Sequence, residues 1–219
     1  MRFFVLFCYL LSAVIASSIQ VRDPRVALAR KDDTDSKSWT PKTKDPRIFD
    51  LQVDDLCSYP GNGPKPCKLA NYAIRLLKGE VIATPYSQAY DGALPLFFVD
   101  DDSQMYVVSK EPLQVYVDEV SGALLYTDVG WIPPNAISVG FFHTGTNPLG
   151  VLHPSSSYLT WPSTFGTSVA GTWNLCPFGS TGQYKVYVDF NNFTPQGVSV
   201  DTSLCEAEML AAIDANPWA

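Results

Sequence analysis

From about residue 48 onward the chain alternates short apolar runs with clusters of Gly, Pro, Asn and Asp, a texture that predicts strands rather than helices. The runs YAIRLL (72–77), LPLFFV (94–99), QMYVVS (104–109), LQVYV (113–117), ALLYT (123–127), ISVGFF (137–142), GTWNL (171–175) and YKVYVDF (184–190) are rich in Val, Tyr, Phe and Ile. These residues suit a pleated, half-buried surface. The turn spacing predicts one all-β domain over 51–219, an antiparallel sandwich or barrel. A β-trefoil also fits about twelve short strands, although no threefold repeat is legible. One helix is expected, at the C-terminal end. In SLCEAEMLAAIDANP, Ser203 and Glu206 form a capping box, Leu204, Met209, Leu210 and Ile213 follow at near-helical spacing, and Asn216 with Pro217 ends the run.

The residues ahead of this domain have a different texture. MRFFVLFCYLLSAVIA (1–16) has one early cation, a short apolar run and small residues at Val14 and Ala16, the pattern of a secretory signal peptide. The run is too short to cross about 30 Å of hydrocarbon, so a soluble extracellular protein without a membrane anchor is expected. Residues 17–50 are charged and rich in Ser, Thr and Pro, with no sustained apolar period, and are expected to form a disordered arm or propeptide. The dibasic Arg30–Lys31 inside it is a candidate processing site.

Secretion changes the reading of the cysteines. Once Cys8 leaves with the leader, Cys57, Cys67, Cys176 and Cys205 remain, an even number in an oxidising compartment. Four cysteines allow three connectivities. The favoured one joins Cys57 to Cys67, around the Pro- and Gly-rich CSYPGNGPKPC, and Cys176 to Cys205. Charge narrows the partners. Residues 17–50 carry a net +2, whereas 51–219 carry −10, and so acidic a body argues against nucleic acid.

Candidate chemistry is sparse. Asp100, Asp101 and Asp102 lie where a hairpin turn is needed, as do Asp118 and Glu119 ahead of SG, and acidic residues at such places ordinarily bond to turn backbone. The competing reading is a calcium site built from two neighbouring acidic turns, but the sequence has no twelve-residue EF-type loop. His143 and His153 are the only histidines, and no G-x-S-x-G accompanies them. DTS at 201–203 has no second copy to make an aspartic-protease pair. No catalytic residue, metal or cofactor is therefore assigned. Acidic residues are numerous enough to keep a wall-polymer hydrolase open without selecting its carboxylate pair. The aromatic residues are more informative, and Trp131, Trp161 and Tyr158 are the candidate contacts for a cell-wall or host glycan. Asn192, in NFT, is the one glycosylation sequon, with Pro195 following directly.

The stretch VYVDEVSGALLYTDVGWIPPNAISVGFF, followed by TWNLCP, YKVYVDF and Cys205, resembles the small fungal cell-wall proteins related to phialide-development protein and to certain IgE-binding allergens. The matching positions run from Tyr116–Asp118 through Gly122–Leu124, Tyr126–Thr127, Ile132–Pro133, Gly140–Phe141 and Trp173 with Cys176–Pro177 to Cys205, so the resemblance spans about 113–205. It implies a secreted, wall-associated, non-enzymatic protein with no active-site residues to carry over. The chain departs from that family in placing Cys57 and Cys67 ahead of YAIRLL and in carrying the charged arm.

Overall fold

The computed structural model describes residues 39–55, 67–144, 157–161, 172–189 and 200–214. The expected leader, the arm as far as residue 38, Cys57, His153 and Asn192 lie outside the described residues.

The described residues form an all-β fold in which every strand pairing is antiparallel. In chain order the strands are β1 (Phe49–Asp54), β2 (Tyr72–Leu77), β3 (Glu80–Pro85), β4 (Phe97–Val99), β5 (Met105–Val107), β6 (Leu113–Asp118), β7 (Leu124–Asp128), β8 (Ala136–Ile137), β9 (Phe142–Thr144), β10 (Tyr158–Thr160), β11 (Trp173–Phe178), β12 (Gln183–Val188) and β13 (Glu206–Asp214). Nine of them close a barrel in the order β1-β4-β5-β6-β7-β3-β12-β11-β13, with β13 returning to β1. β2 pairs along β3 and touches β1 at Gln52↔Ala73, while β10 and β9 extend outward from β13.

Alternation along each strand places the core inside this ring. Phe49, Leu51 and Val53 of β1, Val115 and Val117 of β6, Leu175 of β11, Val186 and Val188 of β12 and Leu210 of β13 join one buried cluster capped by Trp173. Each large apolar side chain so buried contributes about 1.5–3 kcal/mol. The turns follow local chemistry. Lys78 (φ 50°) and Gly79 (φ 87°) are both left-handed, as a two-residue hairpin loop between β2 and β3 requires. Gly140 (φ 95°) breaks the expected 137–142 strand into β8 and β9. A Cβ there would sit 3.2 Å from the Trp161 indole nitrogen, which donates to the Val139 carbonyl at 2.8 Å.

Two expectations need correction. The C-terminal helix is absent: Thr202–Leu204 is a single 3-10 turn, and 206–214 is the longest strand in the described fold. Ser203 does not cap a helix, because Asp201 takes that role and accepts from the Ser203 N–H and hydroxyl. Local helix preference in EAEMLAAID loses to pairing with β1 over six residue pairs and with β11 and β10 besides. Burial is continuous from Glu208 to Ala212 rather than alternating, so a strand covered on both faces had presented the apolar run of a helix. The second correction concerns the arm. Its last part, from Trp39, packs on the barrel instead of standing free. Trp39 lies 4.5 Å from the Tyr106 ring and 6.1 Å from Phe98, and Ile48 joins both in a second apolar cluster.

Candidate functional site

The acidic turns resolve into backbone chemistry. Asp100, 5% exposed, accepts from the N–H groups of Lys42 (2.9 Å), Thr43 (2.7 Å) and Asp101 (2.8 Å), so its carboxylate clamps the 39–48 segment onto the β4–β5 hairpin. Lys42 reinforces the clamp through an ion pair with Asp102. Asp118 accepts from the Ser121 N–H at 2.8 Å, from the Ser121 hydroxyl and from the Asn135 side-chain amide. It therefore closes its own turn and ties it to the segment before β8. Among the described residues no group of three or more His, Cys, Asp or Glu is placed to hold a metal ion.

The aromatic candidates separate. Trp161 is buried, and its indole N–H is committed to Val139, so it is a core and turn anchor. Tyr158 is half-buried, and its hydroxyl donates to Asp54 at 2.6 Å, which links β10 to β1. Trp131, at the turn after β7, is 76% exposed and is the candidate that presents a ring to solvent. Trp161 and Tyr158 belong to β10 and its end, whereas Trp131 follows β7.

Strand register brings together one pair that the sequence did not reveal. β9 and β10 pair with His143 opposite Leu159, which sets His143 diagonally across from Ser157, and the serine hydroxyl is hydrogen-bonded to the His143 Nε2. The imidazole stacks on Phe49 at 4.6 Å. Burial, assisted by the nearby Arg47 cation, lowers the His143 pKa, while Asp214 opposes the shift. Its surroundings thus favour the neutral ring. No spacing signal marks this pair, because the serine hydroxyl reaches the ring only through the β9–β10 register.

A second convergence is an open cleft of about 410 Å3 between the 67–72 segment and the 85–91 turn, within the usual ~300–1,000 Å3 range of small-ligand sites. Its walls include Lys68, Asn71, Tyr72, Tyr86, Ser87 and Asp91. The 67–72 wall is pinned at three points: Cys67 is disulfide-bonded, Leu69 is a fully buried core residue, and the Leu69 N–H donates to Asp55 at 2.9 Å. The opposite wall is equally fixed. Ser87 N–H donates to the Asp91 carboxylate at 2.6 Å, and the Asp91 N–H donates back to the Ser87 carbonyl at 2.9 Å. The two walls join where the Tyr86 N–H donates to the Asn71 carbonyl at 2.7 Å. Arg75 sits 5.7 Å from the Tyr86 ring centre and 3.8 Å from the Asp91 carboxylate, holding both. The Tyr72 hydroxyl donates to the Gly182 carbonyl at 3.1 Å, and burial, with Tyr184 beside it, raises its pKa.

Cys176 of β11 is bonded to Cys205, with Cα atoms 4.1 Å apart, as the cysteine reading expected. The bond joins neighbouring strands rather than a helix to the sheet, since Leu175 pairs with Glu206. Cys67 is also disulfide-bonded, and its expected partner Cys57 lies outside the described residues. No family model, curated protein or solved structure compared with the chain gives a match.

Proposed function

We propose that this chain is a secreted, non-enzymatic structural protein of a fungal cell wall or extracellular matrix. The observation that carries the reading is the Cys176–Cys205 disulfide at the entry to β13, the strand that closes the barrel against β1. Disulfides persist in oxidising compartments, and one that ties β11 to the start of β13 suits a protein that must keep its shape outside the cell. The resemblance over about 113–205 points the same way, and the Asp118–Gly122 turn within it is occupied by backbone hydrogen bonding. Fractionation of a native culture tests the proposal. Recovery in the wall or the medium is expected, and recovery solely inside the cell refutes it.

The second reading is a secreted carbohydrate-binding module or effector acting on wall or host glycan. It is favoured by the exposed ring of Trp131, since aromatic faces pair well with the C–H surface of sugars. Retention on chitin, β-glucan or cellulose that disappears in Trp131→Ala supports it.

A further inference from the structure

We propose that the cleft between 67–72 and 85–91 binds a short stretch of a neutral polysaccharide; the choice of glycan rests on the extracellular reading above. Three features select this ligand class. Tyr86 gives the wall aromatic surface, with Arg75 over its ring, and Tyr90, 92% exposed, is the chain neighbour of Asp91. Such rings bury the apolar C–H face of a pyranose while its hydroxyls remain free to hydrogen-bond. In the same lining, Asn71 supplies an amide and Asp91 a carboxylate, a mixture of donor and acceptor that matches vicinal hydroxyls.

Charge provides the third feature. Each charged group of the cleft has an opposite charge beside it: Lys68 lies 2.6 Å from Glu206, and Asp91 lies 3.8 Å from Arg75. The site thus offers polar contacts with no net field to attract a polyanion, and the whole chain carries a formal charge of −7, which repels one. The walls are also fixed before any ligand arrives, through the Cys67 disulfide, the Asp55 hydrogen bond to Leu69 and the Asp91–Ser87 exchange. Pre-organisation of this kind lowers the ordering cost of binding. Arg75 against Tyr86 keeps that ring in place.

The test uses the full secreted chain with soluble chito-oligosaccharides and β-1,3-gluco-oligosaccharides, and with polygalacturonate as the polyanionic control, by titration calorimetry. Binding to at least one neutral oligosaccharide is expected, with affinity about tenfold weaker in Tyr86→Ala and in Asn71→Ala. Asn71 is exposed, so its variant retains the fold even where Tyr86→Ala does not, and circular dichroism checks both. Trp131→Ala is expected to bind as the wild type does. Three results overturn the proposal: no binding to any neutral oligosaccharide by the folded protein, preference for polygalacturonate, or binding that is lost in Trp131→Ala yet retained in both cleft variants. Absence of binding by a protein recovered from the wall refutes the cleft alone, whereas binding by a protein found solely inside the cell refutes the location alone.

Discussion

Replacing Asp100 by alanine should release the 39–48 segment from the barrel. The carboxylate accepts three backbone N–H groups, of which those of Lys42 and Thr43 bridge the segment to the β4–β5 turn. Hydrogen bonds to a charged group contribute about 1.5–3 kcal/mol each, and the released N–H groups can turn to water, so the low end of the sum applies, about 3 kcal/mol. That amount raises the population of the detached state about a hundredfold. Detachment removes Trp39 from Phe98 and Tyr106 and frees the backbone at Lys42, Lys44 and Arg47. Limited trypsin digestion at low protease concentration reads this directly, because cleavage then follows the open population. Cleavage in 42–48 is expected to accelerate about a hundredfold in Asp100→Ala, while the exposed Asp101→Ala, as a surface change worth within about 0.5 kcal/mol, leaves it near the wild-type rate. Equal rates in wild type and Asp100→Ala, or an equal acceleration in Asp101→Ala, would show that the carboxylate does not hold the segment.

Removing the Cys176–Cys205 bond as Cys176→Ala with Cys205→Ala frees a loop with a sequence separation of 29, for which chain entropy predicts a loss of about 3–4 kcal/mol; this corresponds to a fall in Tm of roughly 7–15 °C in a chain of this size, and a fall within about 2 °C would refute the importance of the bond between β11 and β13. Tyr106, whose hydroxyl donates to Gln104 at 2.7 Å, has its pKa pushed by burial from 10.0 to about 12. The unfolded chain therefore ionises this phenol first, and its contribution to stability is present below pH 10 and lost as pH rises towards 12. Ultraviolet titration should show a late phenolate component that disappears in Tyr106→Phe, and its absence from the wild-type curve would contradict the burial.

Much of the architecture was legible along the chain because one face of most strands meets the core and the other meets water or a thin second layer. In β6 and β7, alternation and the Gly122 turn marked a hairpin, and register follows wherever a slip would expose the core set. Reading by periodicity failed at the C-terminal end, where helix-favouring composition outweighed the strand signal. The 206–214 segment carries helix-favouring Ala, Glu, Met and Leu, and only neighbours on both edges and cover on both faces make it a strand. β1 was not among the predicted strands although Phe49, Leu51 and Val53 alternate with Asp50, Gln52 and Asp54, because it begins inside the charged segment, whereas Ala83, Thr84 and Pro85 dilute the apolar run of β3.

What the sequence determined by itself is local: that most of the apolar runs between 72 and 190 are extended, that the acidic residues of 100–102 and 118–119 serve turns, and which two cysteines bracket β12. What the tertiary structure decided depends on residues far apart in the chain. Trp161 and Trp131 look alike as letters, yet one is sealed against Gly140 and Val139 and the other stands in solvent. His143 meets Ser157 only through the β9–β10 register. The walls at Asn71 and Asp91 become a cleft because β2 folds back on β3, Asp55 holds Leu69 and Arg75 bridges Tyr86 to Asp91. Local preference is a sum over neighbours in sequence, whereas burial and convergence are set by which strands come to lie side by side when the barrel closes.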